Sequence, residues 1–226
     1  PDAPDTPAVL DVLDVGCGTG ISARPFLNAG CRVLGVEPDA RMAERARHGG
    51  VEVEVATFES WDPVGRTFDA VVSGQSWHWV DPDAGAAKAA RVLRPGGRLA
   101  AFWNVFQPPS ELGASFAAVY RRVLPDLPYS GNTLPGLEAY EQMAGKAAGG
   151  MRGSGAFGEP ELWHLPWERV YTREEWLDQV PTFGGHHLLP PAQLAELLAG
   201  IGEVVDAAGG SFTMNYTTLA ITARLA

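Results

Sequence analysis

The sequence predicts an α/β protein built on a doubly wound, mainly parallel sheet. Three observations carry that expectation. Apolar, β-branched segments alternate with segments of helical period through the first hundred or so residues. Gly and Pro punctuate the joints between them. The first apolar segment runs into Gly16, Cys17, Gly18, Thr19 and Gly20, a strand-to-helix crossing that exploits glycine's backbone freedom. Repeated strand-then-helix units of this kind place helices on both faces of a parallel sheet.

Residues 9–15 read as the first strand, followed by the glycine loop and a helix over residues 21–29. Pro25 is tolerated there only in the first turn. Gly30 ends that helix, and residues 32–36 read as the second strand. Residues 38–48 carry Ala and Arg at helical spacing until Gly49 and Gly50 stop them. Residues 51–55 alternate Val and Glu, a third strand with one wetter face. Residues 68–73 form the fourth strand, 81–93 a helix, and 98–103 a fifth strand behind a turn at Pro95, Gly96 and Gly97.

Beyond the fifth strand the pattern changes. Pro108 and Pro109, a helical piece at 115–124 and a glycine-rich run at 149–155 mark residues 105–160 as an insertion with a mobile part. Residues 161–171 read as a strand. Thr172 is placed to cap a helix over 173–180, with Glu174 and Glu175 near its positive end. Residues 191–208 form a longer helix closed by Gly209 and Gly210, and residues 211–224 are strand-rich. The Trp residues at helical spacing around Trp163–Trp176 read as core.

The 226 residues include 17 basic and 27 acidic side chains, a net charge of −10, which argues against a bare electrostatic grip on nucleic acid or anionic lipid. A hydrophobic fraction of 46% with seven Trp excludes global disorder. No apolar run approaches the roughly 18 residues of a membrane span. Cys17 and Cys31 give neither a disulfide framework nor zinc spacing, and His186 beside His187, with no acidic cluster, does not make a metal site. Pro1 is not a translation start, so residues upstream are expected. These features together suggest a cytoplasmic protein.

The chemistry concentrates in the loop 16–20 and at Glu37. Glycines there allow close approach of a nucleotide-like ligand that a Cβ would block. A tight structural turn is the plainer alternative. Ile21 stands where the dinucleotide fingerprint carries its third glycine, which weakens a nicotinamide or flavin reading. Glu37, at the end of the second strand, can accept both hydroxyl hydrogens of a ribose.

With the blocks Val12 to Gly20, Gly35 to Asp39, Phe68 to Val72 and Arg91 to Leu99, the chain resembles the class I S-adenosylmethionine-dependent methyltransferases, in their type 11 small-molecule branch. The resemblance covers about residues 9–104. It implies a Rossmann-like, seven-stranded sheet with the last strand antiparallel, and S-adenosyl-L-methionine as cofactor, converted to S-adenosyl-L-homocysteine. It places the methionine part over Gly16, Cys17 and Gly18 with Asp14 nearby, counts Gly20 among the cofactor-binding residues, and puts the ribose on Glu37 and the adenine between Pro38 and Met42. Thr57 holds the position where the family offers Asp to the adenine amino group. Its hydroxyl, the backbone N–H of Phe58 and the carboxylate of Glu59 are rival contacts. After the fourth strand, Ser73 and Gln75 fall on the cofactor side, and the Gln75-x-x-His78-Trp79 element resembles trans-aconitate methyltransferase-like members. His78 is then a catalytic candidate, as a base or an orienting group; Trp77 and Trp79 are either core or site walls.

The expectation is a single domain over 1–226, with a cofactor-binding half at 9–104, an inserted substrate-side segment at 105–160 and closing strands and helices at 161–226. Family members carry a capping helical segment before the first strand; about eight residues precede it here, so no capping residue is assigned. The expected function is methyl transfer to an O, N or C nucleophile of a small molecule, without metal. The alternatives are a nicotinamide-dependent oxidoreductase and a non-catalytic binder of the same cofactor. The absence of a Tyr-x-x-x-Lys pair argues against the first.

Overall fold

A computed structural model describes residues 9–125 and 136–226. The first half alternates as the sequence predicts: β1 (Asp11–Val15), α1 (Ala23–Asn28), β2 (Arg32–Glu37), α2 (Ala40–His48), β3 (Glu52–Val55), β4 (Phe68–Gly74), α3 (Pro82–Val92) and β5 (Leu93–Gln107). Then follow α4 (Ser110–Val123), α5 (Leu137–Gly153), β6 (Glu161–Thr172), α6 (Arg173–Gln179), α7 (Pro191–Ala207) and β7 (Ser211–Arg224). The residues expected to precede the first strand, 1–8, and part of the 105–160 insertion, 126–135, lie outside the described residues.

The seven strands form one sheet in the order β3-β2-β1-β4-β5-β7-β6, parallel through β5 and antiparallel at β7 and β6. This is the doubly wound, Rossmann-like arrangement with its last strand reversed. Strand β1 lies between β2 and β4, with Leu13 in register with Leu34 on one side and Val71 on the other. The strand order reverses at β1 and β4, so their carboxyl ends frame the crevice in which open α/β sheets bind ligands. Val12 to Val15 are all buried, as a central parallel strand covered on both faces must be.

The chain divides into two compact units. The first takes residues up to Trp103 together with Glu141–His164 and Leu219–Ala226. Its core includes a cluster in which Val12, Ala23, Val33, Ala43, Ala46, Val53 and Val72 pack α1 and α2 onto the sheet. Asp39 caps α2 through the N–H of Arg41 at 2.8 Å, and Asp81 caps α3 through the N–H of Ala84 at 2.8 Å. The second unit takes Asn104–Tyr140 and Leu165–Thr218. Phe116, Trp176, Leu197, Ile201, Phe212 and Met214 are among its core residues. Thr172 and Glu175 form a reciprocal capping box at the start of α6.

Three expectations are corrected. The turn at Pro95, Gly96 and Gly97 does not precede β5 but lies inside it. The register passes from Phe68↔Leu93 to Ala70↔Arg98, and the extra residues bulge out with Gly96 at φ +76°. The run 149–155 is not a mobile loop; its first five residues complete α5. A Cβ on Gly150 would lie 2.1 Å from the carbonyl oxygen of Pro82, so glycine there permits close approach of two helices. Of the aromatic residues at 163–176, Trp176 is core, but Trp163 and Trp167 are 45% and 40% exposed because β6 is the edge strand. Among the described residues no helix is long and apolar enough to cross a membrane.

Candidate functional site

The site is built at the carboxyl ends of β1, β2 and β4 in the first unit. Past Val15 the chain turns through Gly16, Gly18 and Gly20 at φ +67°, +56° and +83°, conformations that cost other residues dearly. The N–H of Gly16 donates to the Val36 carbonyl at 2.8 Å, and that of Gly20 to the Cys17 carbonyl at 2.9 Å. These glycines serve different ends. A Cβ on Gly16 would lie 2.6 Å from Ser76 and one on Gly20 would lie 2.9 Å from Val51, whereas one on Gly18 would stand in open space. Gly18 is the lip of a cradle.

Glu37, only 6% exposed, organises that lip. Its Oε2 accepts the N–H of Gly18 and its Oε1 the N–H of Asp39, both at 2.9 Å. Each oxygen keeps a further lone pair. Asp14, in β1, is fully buried; its Oδ2 accepts the Ser22 hydroxyl at 2.7 Å, while its Oδ1 has no partner. Burial pushes the Asp14 carboxyl up to about 7; the Ser22 bond opposes this and the charge of Glu37 adds to it. An unsatisfied buried carboxylate oxygen is costly unless a donor or cation meets it.

Cys17 offers this site its main chain. Its side chain belongs to the core beside Gly35, and burial pushes the thiol up to about 12. Pro38 and Met42 are exposed. The three rival residues after β3 separate. The Thr57 hydroxyl lies 2.9 Å from that of Ser60, and Glu59 Oε1 accepts the N–H of Asp81 at 3.1 Å. The Phe58 ring is buried against Trp61 and Trp77, while its N–H makes no hydrogen bond among the described residues. Lys88 fixes this loop by donating to the carbonyls of Glu59, at 3.0 Å, and Trp61.

After β4, Ser73 is buried; its hydroxyl lies 2.9 Å from the Val15 carbonyl and 2.7 Å from the Ser76 hydroxyl. It ties the ends of β1 and β4 together. Gln75 adopts φ +60°, a left-handed conformation, and its N–H donates to Phe102 at 2.8 Å. A 3-10 turn, Trp77–Trp79, follows. Trp77 is core, 2% exposed, and Trp79 is 82% exposed, so the core reading holds for Trp77 and not for Trp79. The Nδ1 of His78 accepts the indole N–H of Trp103 at 3.2 Å, and partial burial lowers the pKa of the ring.

Sequence reasoning missed Ser22, Ser76 and Trp103. A signal existed for the last: a buried Trp must find an acceptor for its N–H. His186 is buried with its ring nitrogen Nδ1 unpartnered, and no group of three or more His, Cys, Asp or Glu gathers for a metal among the described residues.

Residues 13–101 match the family model described as a methyltransferase domain. Over 99 residues the chain is 40% identical to an uncharacterized methyltransferase of Mycobacterium tuberculosis (strain ATCC 25618 / H37Rv), covering 43% of this chain and 41% of that protein. Over 95 residues it is 36% identical to the ubiquinone biosynthesis O-methyltransferase of Bradyrhizobium sp. (strain ORS 278), covering 39% and 37%. The matched stretch thus spans about two fifths of the length of these curated relatives. A solved structure described as a type II methyltransferase from Anaeromyxobacter dehalogenans is similar over 96% of this chain and 91% of that one, with a TM-score of 0.64 and 24% identity. At that identity the likeness is one of fold.

Proposed function

Because residues 13–101 belong to the class I, S-adenosyl-L-methionine-dependent methyltransferase family, we propose that the chain is an enzyme that methylates an O, N or C nucleophile of a small molecule. The observation that carries the reading is the glycine cradle with its two carboxylates. Gly18 leaves open space where a side chain would stand, Asp14 Oδ1 is buried without a partner, and Glu37 has lone pairs to spare. A ligand with an ammonium group at one end and a ribose diol further along satisfies both acids.

In this reading the main chain of Gly16, Cys17, Gly18 and Gly20 receives the methionine part, and Asp14 answers its ammonium group. Glu37 holds the ribose hydroxyls. Pro38 and Met42 flank the adenine, with the Phe58 N–H and the Thr57 hydroxyl at its edge; Glu59 is committed to Asp81. Ser73 and Gln75 shape the floor, and His78 serves the acceptor side. Bound S-adenosyl-L-methionine supplies a methyl group on a positively charged sulfur and leaves as S-adenosyl-L-homocysteine. The protein's part is to hold an acceptor in line and exclude water, which provides most of the acceleration in such displacements. Residues 105–160 are retained as the acceptor-side segment. A net charge of −10 favours a small-molecule acceptor over nucleic acid, and a cytoplasmic setting belongs to the same reading.

The test is incubation of the chain with S-adenosyl-L-methionine and fractionated cell extracts, read by mass spectrometry. Appearance of a singly methylated small molecule with matching S-adenosyl-L-homocysteine is expected. Tight binding of S-adenosyl-L-homocysteine with no methylated product in any fraction would favour a non-catalytic binder instead.

A further inference from the structure

The turn that carries His78 starts against the glycine loop: Ser76, the residue before it, is the one a Cβ on Gly16 would strike at 2.6 Å. Two residues on, His78 Nδ1 lies 3.2 Å from Trp103 Nε1. An indole nitrogen carries a proton and offers no lone pair, so it can only donate. Nδ1 must therefore turn its lone pair to Trp103, and the one proton of a neutral imidazole then sits on Nε2. Trp103 is held in the core at 1% exposed, and rotating it away would strand a buried N–H. Protonating Nδ1 would set two N–H groups face to face, which acts in the same direction as the partial burial that already lowers the pKa of the ring. Nε2 makes no hydrogen bond among the described residues.

We propose that Trp103 fixes His78 as an Nε2–H donor, so that His78 orients the methyl acceptor through an oxygen lone pair and does not remove its proton. Trp103 is then a positioning residue acting through His78. The substrate class follows. With Nδ1 engaged, the neutral ring has no free lone pair with which to take a proton, and a neutral amine has one lone pair, which cannot both accept the Nε2–H and attack the methyl group. The acceptors that fit are oxygen nucleophiles that ionise unaided near neutral pH, namely carboxylates and acidic phenols. This rests on the reading of the site as the acceptor side of a methyltransferase.

The test uses the full chain labelled with nitrogen-15, saturated with S-adenosyl-L-homocysteine and observed by two-bond proton–nitrogen correlation at neutral pH. His78→Gln assigns the signals. The expected pattern is a protonated Nε2 with a bare Nδ1, a Trp103 indole proton that shifts in His78→Gln, and a His78 Nε2 signal that moves on titration with benzoate and stays in place with aniline, an amine that is uncharged at neutral pH. Trp103→Phe, if folded by circular dichroism, should give a mixture of tautomers; if it does not fold, the wild-type pattern still decides. A protonated Nδ1, or a response to aniline and none to benzoate, would overturn the proposal. Failure of S-adenosyl-L-homocysteine to bind a chain with the expected tautomer would overturn the acceptor assignment by removing its premise, and would leave the Trp103–His78 pair standing as a structural contact.

Discussion

The Glu37 carboxylate accepts the Gly18 N–H at 2.9 Å across a separation of nineteen residues. The end of β2 thereby shapes the lip of the glycine loop, and in the proposed function the same residue holds the ribose. Glu37→Ala should weaken S-adenosyl-L-homocysteine binding by about 1.5–3 kcal/mol, the range for hydrogen bonds to a charged group. Isothermal titration calorimetry on a folded variant checks this; an unchanged dissociation constant would take the ribose away from Glu37.

Two alanine substitutions in the loop should fail differently. Gly16→Ala combines a positive φ with a Cβ 2.6 Å from Ser76, so it should lower thermal stability markedly. Gly18→Ala meets no protein atom within 4 Å and should cost only the strain of its φ of +56°, about 1–2 kcal/mol. Its effect should appear in cofactor affinity, because its methyl group enters the cradle. Melting curves and calorimetry on both variants separate the two outcomes, and equal loss of affinity at equal stability would contradict the assignment.

Asp14 makes the site sensitive to pH. Its carboxyl is raised in the folded chain from 3.8 to about 7, so its contribution to stability is full below the unfolded value and is lost as pH rises through about 7. Relative to Asp14→Asn, the ligand-free protein should therefore lose stability between about pH 4 and about pH 7. S-adenosyl-L-homocysteine binding should strengthen over the same window, since its ammonium group needs the carboxylate. Asp14→Asn should flatten both profiles. A wild-type affinity that does not change with pH would remove Asp14 from the ammonium site.

Lys88 holds the loop after β3 through the carbonyls of Glu59 and Trp61 and lies over the Phe58 ring at 5.4 Å. Lys88→Met should destabilise the protein by about 1–3 kcal/mol by leaving buried carbonyls unpaired. It should also weaken binding of 5′-methylthioadenosine, which reports the adenine edge without the methionine part. Loss of stability with full affinity for that probe would show that Phe58 and Thr57 do not meet the adenine.

Much of the fold was legible because its signals are local. Glycines at 16, 18 and 20, Glu37 at a strand end and the cap at Thr172 each follow from a few neighbouring residues. The parts that were not legible depend on contacts distant in sequence. Ser76 reaches Val15 across 61 residues and Trp103 reaches His78 across 25, and no periodicity encodes either pairing. The sequence around Gly150 suggests mobility because glycine serves flexibility and close approach alike; only the position of Pro82 distinguishes them. Trp163 and Trp167 have the spacing of core residues, but a place on the edge strand leaves them exposed. In the site, the loop and Glu37 were readable, while the commitment of Glu59 to Asp81 was not.

The most direct measurement is a calorimetric titration of the chain with S-adenosyl-L-homocysteine, run beside NADH and repeated on Glu37→Ala and Gly18→Ala. A cradle built from Gly18, Asp14 and Glu37 predicts binding of S-adenosyl-L-homocysteine, silence with NADH and weakened binding in both variants. Comparable heat from NADH, or S-adenosyl-L-homocysteine binding untouched by either substitution, would contradict it.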